Sequence, residues 1–137
     1  SVDRLKIALR LHEQRPADKG PMNILLQVNI SGEASKSGVS LHELPALAEE
    51  VAALSRIKLV GLMAIPAPSA DFNLQRQSFR LLAQARDELL RAGHTDCRHL
   101  SMGMSQDFEA AIAEGATMVR IGTDIFGARE AAATKPG

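Results

Sequence analysis

The sequence contains no tryptophan and no tyrosine, and only four phenylalanines among its 137 residues. Its hydrophobic residues make up 45% of the chain, and valine, isoleucine, leucine and alanine dominate them. Side chains of this kind suit buried parallel strands with helices packed on them. The scarcity of aromatic residues therefore indicates an aliphatic core of the α/β type.

Other absences indicate the cellular compartment and exclude some classes of binding partner. The single cysteine, Cys97, cannot form an internal disulfide, so a reducing cytoplasm is the expected compartment. Sixteen basic residues balance sixteen acidic ones, which leaves no basic surface of the kind that nucleic acids require. No apolar run approaches the roughly 20 residues of a membrane-spanning helix, and no signal-peptide pattern is present. We therefore expect a soluble cytoplasmic protein with neither a nucleic-acid nor a membrane partner.

The familiar motifs of catalysis are also missing. The four histidines lack the spacing of a metal site such as HExxH, and the sequence has no GxGxxG, no Walker loop and no GxSxG. These side chains are expected to have structural or surface roles. The residues alone therefore predict no metal ligand and no catalytic residue.

Two hydrophobic periods alternate along the chain. Short apolar runs predict strands at residues 24–30, 59–65, 99–102 and 118–121. Helical stripes cover residues 2–13, 41–54, 71–92 and 106–114, with Asp3, Ser40 and Ser105 available as caps. Strands that alternate with helices predict a parallel sheet with helical crossovers. Both an open doubly wound sheet and part of a (β/α)8 barrel fit, since a whole barrel needs about 250 residues and eight strands.

In either architecture the reactive face lies at the carboxyl ends of the strands. One candidate there is the turn from Ser101 to Ser105, in which Gly103 has no side chain to hold a ligand away. Ser105 is expected to cap the next helix, where unpaired N–H groups favour an anion. Asp107 opposes this, because its charge would partly repel a phosphate. A capping role for Ser105 alone stays open.

The next strand end repeats the pattern with Arg120, Gly122 and Thr123. An arginine in an apolar strand is costly to bury unless it meets an anion or a carboxylate, so a structural ion pair is the alternative. In barrels, the loops after the last two strands often form a phosphate site together with a short helix. The pattern therefore predicts a phosphate site with six candidate residues: Ser101, Gly103, Ser105, Arg120, Gly122 and Thr123.

Four stretches then point to a family. They are QVNI with SKSG in residues 27–38, GLMAIP in 61–66, LSMGMSQD with EAAI in 100–112, and MVRIGT with IFG in 118–127. In this order they resemble the pyridoxal phosphate homeostasis protein family, and the resemblance extends from residue 1 to residue 129. It implies a (β/α)8 barrel similar to that of alanine racemase. It also implies a protein that binds pyridoxal 5′-phosphate and regulates its supply, without an established reaction.

This sequence departs from the family's pattern at one important point. The family's cofactor-linking lysine lies on an early strand, upstream of anything in this sequence, and Lys36 belongs to a later loop. The resemblance thus implies the C-terminal half of the barrel, with residues 1–130 as a partial barrel and 131–137 as a frayed tail. Such a chain would hold pyridoxal phosphate, or a phosphate or sulfate ion, non-covalently at most. Its open sheet edges would favour self-association or pairing with the missing N-terminal half.

Two alternatives remain. One is a racemase or decarboxylase-like enzyme on the same barrel. Alanine racemases use a tyrosine as an acid/base group, however, and this chain has none. The other is a phosphate-binding barrel whose ligand is a sugar phosphate or a nucleotide.

Overall fold

The computed structural model describes residues 2–31 and 37–119. Four helices and four strands are defined there: α1 (Leu5–Gln14), β1 (Met22–Asn29), β2 (Val39–Ser40), α2 (Leu44–Ala52), β3 (Ile57–Met63), α3 (Phe72–Arg91), β4 (His99–Ser101) and α4 (Phe108–Ala113). A short 3-10 turn at Ala17–Lys19 follows α1.

The strands form one sheet in the order β2-β1-β3-β4, and every neighbouring pair is parallel. Met118 adds an isolated parallel bridge to Ser101, where the sequence predicts the last strand. The parallel sheet with helical crossovers is therefore confirmed. Because the strands are parallel, their carboxyl ends meet at one side of the sheet, which we call the carboxyl edge.

The direction of winding separates the two architectures. From β1 to β3 to β4 the sheet grows in one direction, with a helix in each crossover. Crossovers of this kind are right-handed, so successive helices that follow one direction lie on the same face. The residues of β1 agree, because Ile24, Leu26 and Val28 are buried whereas the alternate residues are half-buried or exposed. Helices on one face indicate barrel-type winding, since a doubly wound sheet carries helices on both faces.

The core is aliphatic, as the composition predicts. It joins the buried face of the sheet to α2 and α3 through residues such as Leu26, Val51, Leu62 and Leu82, all of which are fully buried. Phe79 is the one fully buried aromatic side chain in the described ranges. A core dominated by aliphatic side chains suits helices packed on a parallel sheet.

Gly61 is required by the close approach of two strands. It pairs with His99 across the β3–β4 ladder, and a Cβ atom at this position would overlap the His99 carbonyl oxygen. The register of β3 against β1 also shifts beside it, so that Val60 is an extra residue in the strand. The glycine inside an apolar strand thus marks both a bulge and a tight contact.

Two predicted caps are wrong. Asp3 does not cap α1, whose N-cap is Arg4, because Val2 pairs with Leu26 of β1 and delays the helix. The Asp3 carboxylate accepts a hydrogen bond of 3.2 Å from the Gly38 N–H instead.

Ser40 belongs to the two-residue strand β2, which the sequence analysis did not predict, and the N-cap of α2 is Glu43. The Ser40 hydroxyl still accepts a hydrogen bond of 3.1 Å from the Glu43 N–H and so orders the turn before the helix. The helix is shorter than residues 41–54 because this turn occupies its predicted start.

Other boundaries lie close to the prediction. Asp71 is the N-cap of α3, and its carboxylate accepts hydrogen bonds from the N–H groups of Asn73 and Leu74. The strands β1 and β3 begin and end slightly earlier than the apolar runs suggest. Residues 120 and 121 of the predicted last strand, the short helical turn to residue 126 and the tail 131–137 lie outside the described residues. Within residues 2–31 and 37–119, no helix has the length and apolar character needed to cross a membrane.

Candidate functional site

The carboxyl edge holds a small cavity between the ends of β3 and β4. The register places Met63 beside Ser101, and the cavity is lined by residues 63–65 and 101–104. Ile65 and Met104 are partly exposed at its mouth. The predicted serine turn is therefore next to an apolar surface at the side of the sheet where ligands of such folds bind.

Gly103 adopts a positive φ of 102° in this turn. A Cβ atom there would lie 2.6 Å from the Ala111 Cβ and 3.3 Å from the Phe108 Cα. The glycine thus allows the turn to pack directly on α4. This packing is a structural reason for Gly103, and an approach by a ligand stays a prediction.

The cap of α4 differs from the prediction. Asp107, not Ser105, is the N-cap, and the helix begins at Phe108. The Asp107 carboxylate accepts a hydrogen bond of 2.7 Å from the Met104 N–H, while the Asp107 N–H donates to the Met104 carbonyl at 3.0 Å. The aspartate closes the turn because these two contacts cross it. Ser105 therefore lies inside a closed turn and not at the first turn of a helix.

The structure describes half of the predicted site. Ser101, Gly103 and Ser105 lie together on one turn, whereas Arg120, Gly122, Thr123 and Lys36 are outside the described residues. The chain that leads to Arg120 does approach this turn. The Met102 N–H donates to the Met118 carbonyl at 3.0 Å, and Val119 Cγ1 lies 3.3 Å from a Cβ built on Gly103.

The structure shows two polar contacts at the carboxyl edge that the sequence analysis did not predict. The Ser31 hydroxyl accepts a hydrogen bond of 2.8 Å from the Ala67 N–H and so joins the loop after β1 to the loop after β3. Gln75 of α3 is buried, and its amide donates to the Ser69 carbonyl at 2.6 Å. A signal for Gln75 did exist, because it is a polar residue on the apolar stripe that also contains Phe79 and Leu82.

A charged cluster fastens the other end of α4. Glu114 accepts a hydrogen bond of 2.7 Å from Arg76 Nε and two of 3.2 Å from Arg80, both on α3. The hydrogen bond from Arg80, followed by that from Arg76, holds the pKa of the Glu114 carboxyl below its usual range. The helix that follows the serine turn is thus tied to α3 at its carboxyl end.

Cys97 and His12 are both engaged within the protein. Cys97 is fully buried, and burial raises the pKa of its thiol to about 11 although Arg86 opposes the shift. His12 Nδ1 accepts a hydrogen bond of 3.2 Å from the Arg56 N–H. Among the residues that the structure describes, no group of three or more histidine, cysteine, aspartate or glutamate side chains is placed to hold a metal ion.

These features define a class. Parallel strands wound in one direction, with a helix in each crossover, characterise barrel-type α/β proteins.

Comparison with known proteins agrees: residues 1–130 match the family described as alanine racemase, N-terminal domain, and the chain belongs to it. The resemblance to pyridoxal phosphate homeostasis proteins is confirmed by curated relatives of that name. The protein of Pseudomonas aeruginosa is 58% identical over 130 residues, covering 95% of this chain and 55% of its own length. The protein of Escherichia coli K12 is 56% identical over 131 residues, which again cover 95% of this chain and 55% of the relative's length. The chain therefore spans about half the length of the curated relatives that it matches.

Several solved structures are similar to this chain. A protein from Bifidobacterium adolescentis described as unknown superposes with a TM-score of 0.86 at 42% identity, over 92% of this chain and 51% of that one. PipY of Synechococcus elongatus with PLP bound gives 0.80 at 29% identity, over 93% and 59%. The arginine decarboxylase of Paramecium bursaria Chlorella virus gives 0.64 at 16% identity, over 86% and 37%, which shows a shared fold alone.

Proposed function

We propose that the chain is the C-terminal half of a (β/α)8 barrel that binds pyridoxal 5′-phosphate and serves intracellular homeostasis of this cofactor. The observation that carries the proposal is the likeness to PipY, whose structure contains bound PLP and which covers 93% of this chain. The names of the curated relatives support the same function.

In this proposal the cofactor's phosphate binds at the carboxyl edge. Ser101 and Ser105 would donate from their hydroxyls, and Gly103 shapes the turn that carries them. Arg120, Gly122 and Thr123 would complete the site, because they follow Val119, whose side chain lies next to the Cβ position of Gly103. Arg120 has a specific electrostatic task here: Asp107 places a negative charge on the turn, so a phosphate needs a cation to offset the repulsion.

The proposed role is binding and not catalysis. The resemblance to the family implies that its cofactor-linking lysine is none of the residues named here, so we propose that these residues hold the cofactor through its phosphate without a covalent bond. The cofactor supplies an aldehyde that reacts with amines when it is bound. The contribution of this chain is to orient it from the phosphate end.

The sheet surface opposite the buried residues of β1 is partly open. Asn23 is exposed there and Leu25 is half-buried. We propose that a second copy of the chain or the complementary half of the barrel covers it. Light scattering on dilute protein tests this, with a dimer or larger species expected and a monomer that unfolds cooperatively as the contrary result.

The binding proposal is tested by titration of the chain with pyridoxal phosphate, followed by absorbance. We expect saturable binding that inorganic phosphate competes away, weaker binding of pyridoxal without its phosphate, and no lysine modified after borohydride reduction. A lysine reduced onto the cofactor would contradict the non-covalent mode. Equal binding of pyridoxal would contradict the phosphate site, and stronger binding of a sugar phosphate or a nucleotide would favour the other barrel function.

A further inference from the structure

The β4–α4 turn of the proposed site, which contains Ser105, is linked to α3 through one buried amide. Gln75 lies on the first two turns of α3, is 9% exposed, and is the one buried polar residue in the described part of the chain. Its Nε2 lies 2.6 Å from the Ser69 carbonyl oxygen and 3.5 Å from the Gln106 carbonyl oxygen. Ser69 belongs to the loop after β3, and Gln106 directly follows Ser105.

The chemistry of the two partners fixes the orientation of the amide. Both are carbonyl oxygens, which only accept hydrogen bonds, so the NH2 group of Gln75 and not its oxygen must face them. An amide NH2 has two hydrogens and can therefore serve both carbonyls at once. The contact to Ser69 is short, and the contact to Gln106 is long and weaker.

The other contacts of this region differ in function from the Gln75 amide bridge. Asp107 closes the turn internally through Met104, and backbone hydrogen bonds of Ser101 and Met102 hold the strand end that precedes it. Glu114, with Arg76 and Arg80, anchors the far end of α4. Gln75 is the side chain that connects the turn itself to both α3 and the loop after β3.

We propose that Gln75 is a positioning residue for the phosphate site, which holds the Ser101–Ser105 turn in place through its amide bridge. This inference rests on the proposed function. Loss of the bridge frees the Gln106 carbonyl, lets the Ser105 hydroxyl and the neighbouring N–H groups shift, and weakens anion binding without removing any group that contacts the anion. Positional errors of a fraction of an ångström are enough to impair such a site.

The test compares Gln75→Met with Gln77→Met. Methionine keeps the unbranched shape of glutamine and removes the amide, while Gln77 lies two residues further along the same helix and is exposed. Gln75→Asn, one methylene shorter, is the second variant should the methionine variant fail to fold. The probe is inorganic phosphate, followed by the amide resonances of Met104 and Ser105 at a temperature where every variant is folded, with a pyridoxal phosphate titration beside it.

We expect Gln75→Met to bind phosphate and pyridoxal phosphate about fivefold to tenfold more weakly than the wild type, and Gln77→Met to bind like the wild type. A purely structural role would lower the melting temperature and leave the affinity of the folded protein unchanged, and that result overturns the inference. If the wild type bound neither probe, the proposed function would fail and the inference with it. Binding by the wild type that Gln75→Met retains overturns the inference alone.

Discussion

The carboxylate of Asp107 accepts a hydrogen bond of 2.7 Å from the backbone N–H of Met104 and thereby closes the turn after β4. One donor of the turn is thus already used, and a negative charge lies beside the proposed phosphate position. The turn is therefore closed by a hydrogen bond but electrostatically unfavourable for an anion unless a cation compensates.

Asp107→Asn separates these two effects. The asparagine oxygen still accepts from the Met104 N–H, and the charge disappears. We expect phosphate affinity to rise about twofold to tenfold, because removal of a like charge a few ångströms away is worth about 1 kcal/mol at the surface. Titration at low ionic strength measures the effect. Glu109→Gln, an exposed site in the first turn of α4, is the control, and an equal gain there would show that only net charge matters.

Arg120→Ala is expected to weaken phosphate binding more than Lys36→Ala does. The reason is that Arg120 follows the segment that contacts Gly103, whereas Lys36 belongs to the loop before β2. The loss of one charge-assisted contact corresponds to about tenfold to a hundredfold in affinity. The same phosphate titration on both variants measures it, and equal losses would show that the site is misplaced.

Glu114→Gln is expected to lower the melting temperature at pH 7 by a few degrees. The pKa of Glu114 is lowered in the folded state, mainly by the hydrogen bond from Arg80, so its stabilising contribution is complete above the ordinary pKa of about 4.5 and is lost as the pH falls through the folded value. The arginines are partly exposed, which keeps the effect modest.

Thermal unfolding of wild type and Glu114→Gln between pH 3 and pH 8 checks this sign. The difference between the two proteins should shrink at acid pH. The exposed Glu88 of α3 offers a matched control, since Glu88→Gln should leave the melting temperature nearly unchanged at every pH. A difference that stays constant down to pH 3 would contradict the assignment.

Cys97 should be almost inert to thiol reagents in the folded protein. Burial raises the pKa of the Cys97 thiol to about 11 from its ordinary value of about 9, so the thiolate at pH 8 is about a hundredfold scarcer than in an unfolded chain. Reaction with a chromogenic disulfide at pH 8, with and without guanidinium chloride, compares the two states. We expect the folded protein to react at least about a hundredfold more slowly, and similar rates would show that Cys97 is accessible.

Much of the fold could be predicted from local patterns because strands and helices carry strong periodicities. The parallel sheet and the helix α3 follow from hydrophobic patterns that span a few residues, whereas the Asp71 cap of α3 was not among the predicted caps. The two-residue strand β2 was missed because Val39 and Ser40 pair with β1 across the loop, and so short a segment has no period. The cap of α4 was misassigned because serine and aspartate are both favoured at N-caps, and the turn after β4 extends through Ser105 to Asp107.

The candidate site also has a part that could be predicted from the sequence and a part that could not. The serine turn could be located because strand ends and hydroxyl-rich turns leave a sequence signal. The bridge from Gln75 to Gln106 spans 31 residues and depends on how α3 lies against the sheet, so no local pattern predicts it. Only the unusual placement of a glutamine on an apolar stripe pointed to a buried polar role.

Gly61→Ala tests the contact that sets the register of the carboxyl edge. An added Cβ would overlap the His99 carbonyl oxygen, which is backbone and cannot rotate away, so β3 and β4 must separate or lose their pairing. We expect a destabilisation of about 2–4 kcal/mol in chemical unfolding. Gly93→Ala is the control, because Gly93 has a positive φ of 109° but no atom within 4 Å of its Cβ position. That variant should lose only about 1 kcal/mol from backbone strain. If both variants lost the same amount, the cost would come from the backbone conformation of glycine and not from the close approach of the two strands, and the register that places Met63 beside Ser101 would need another cause.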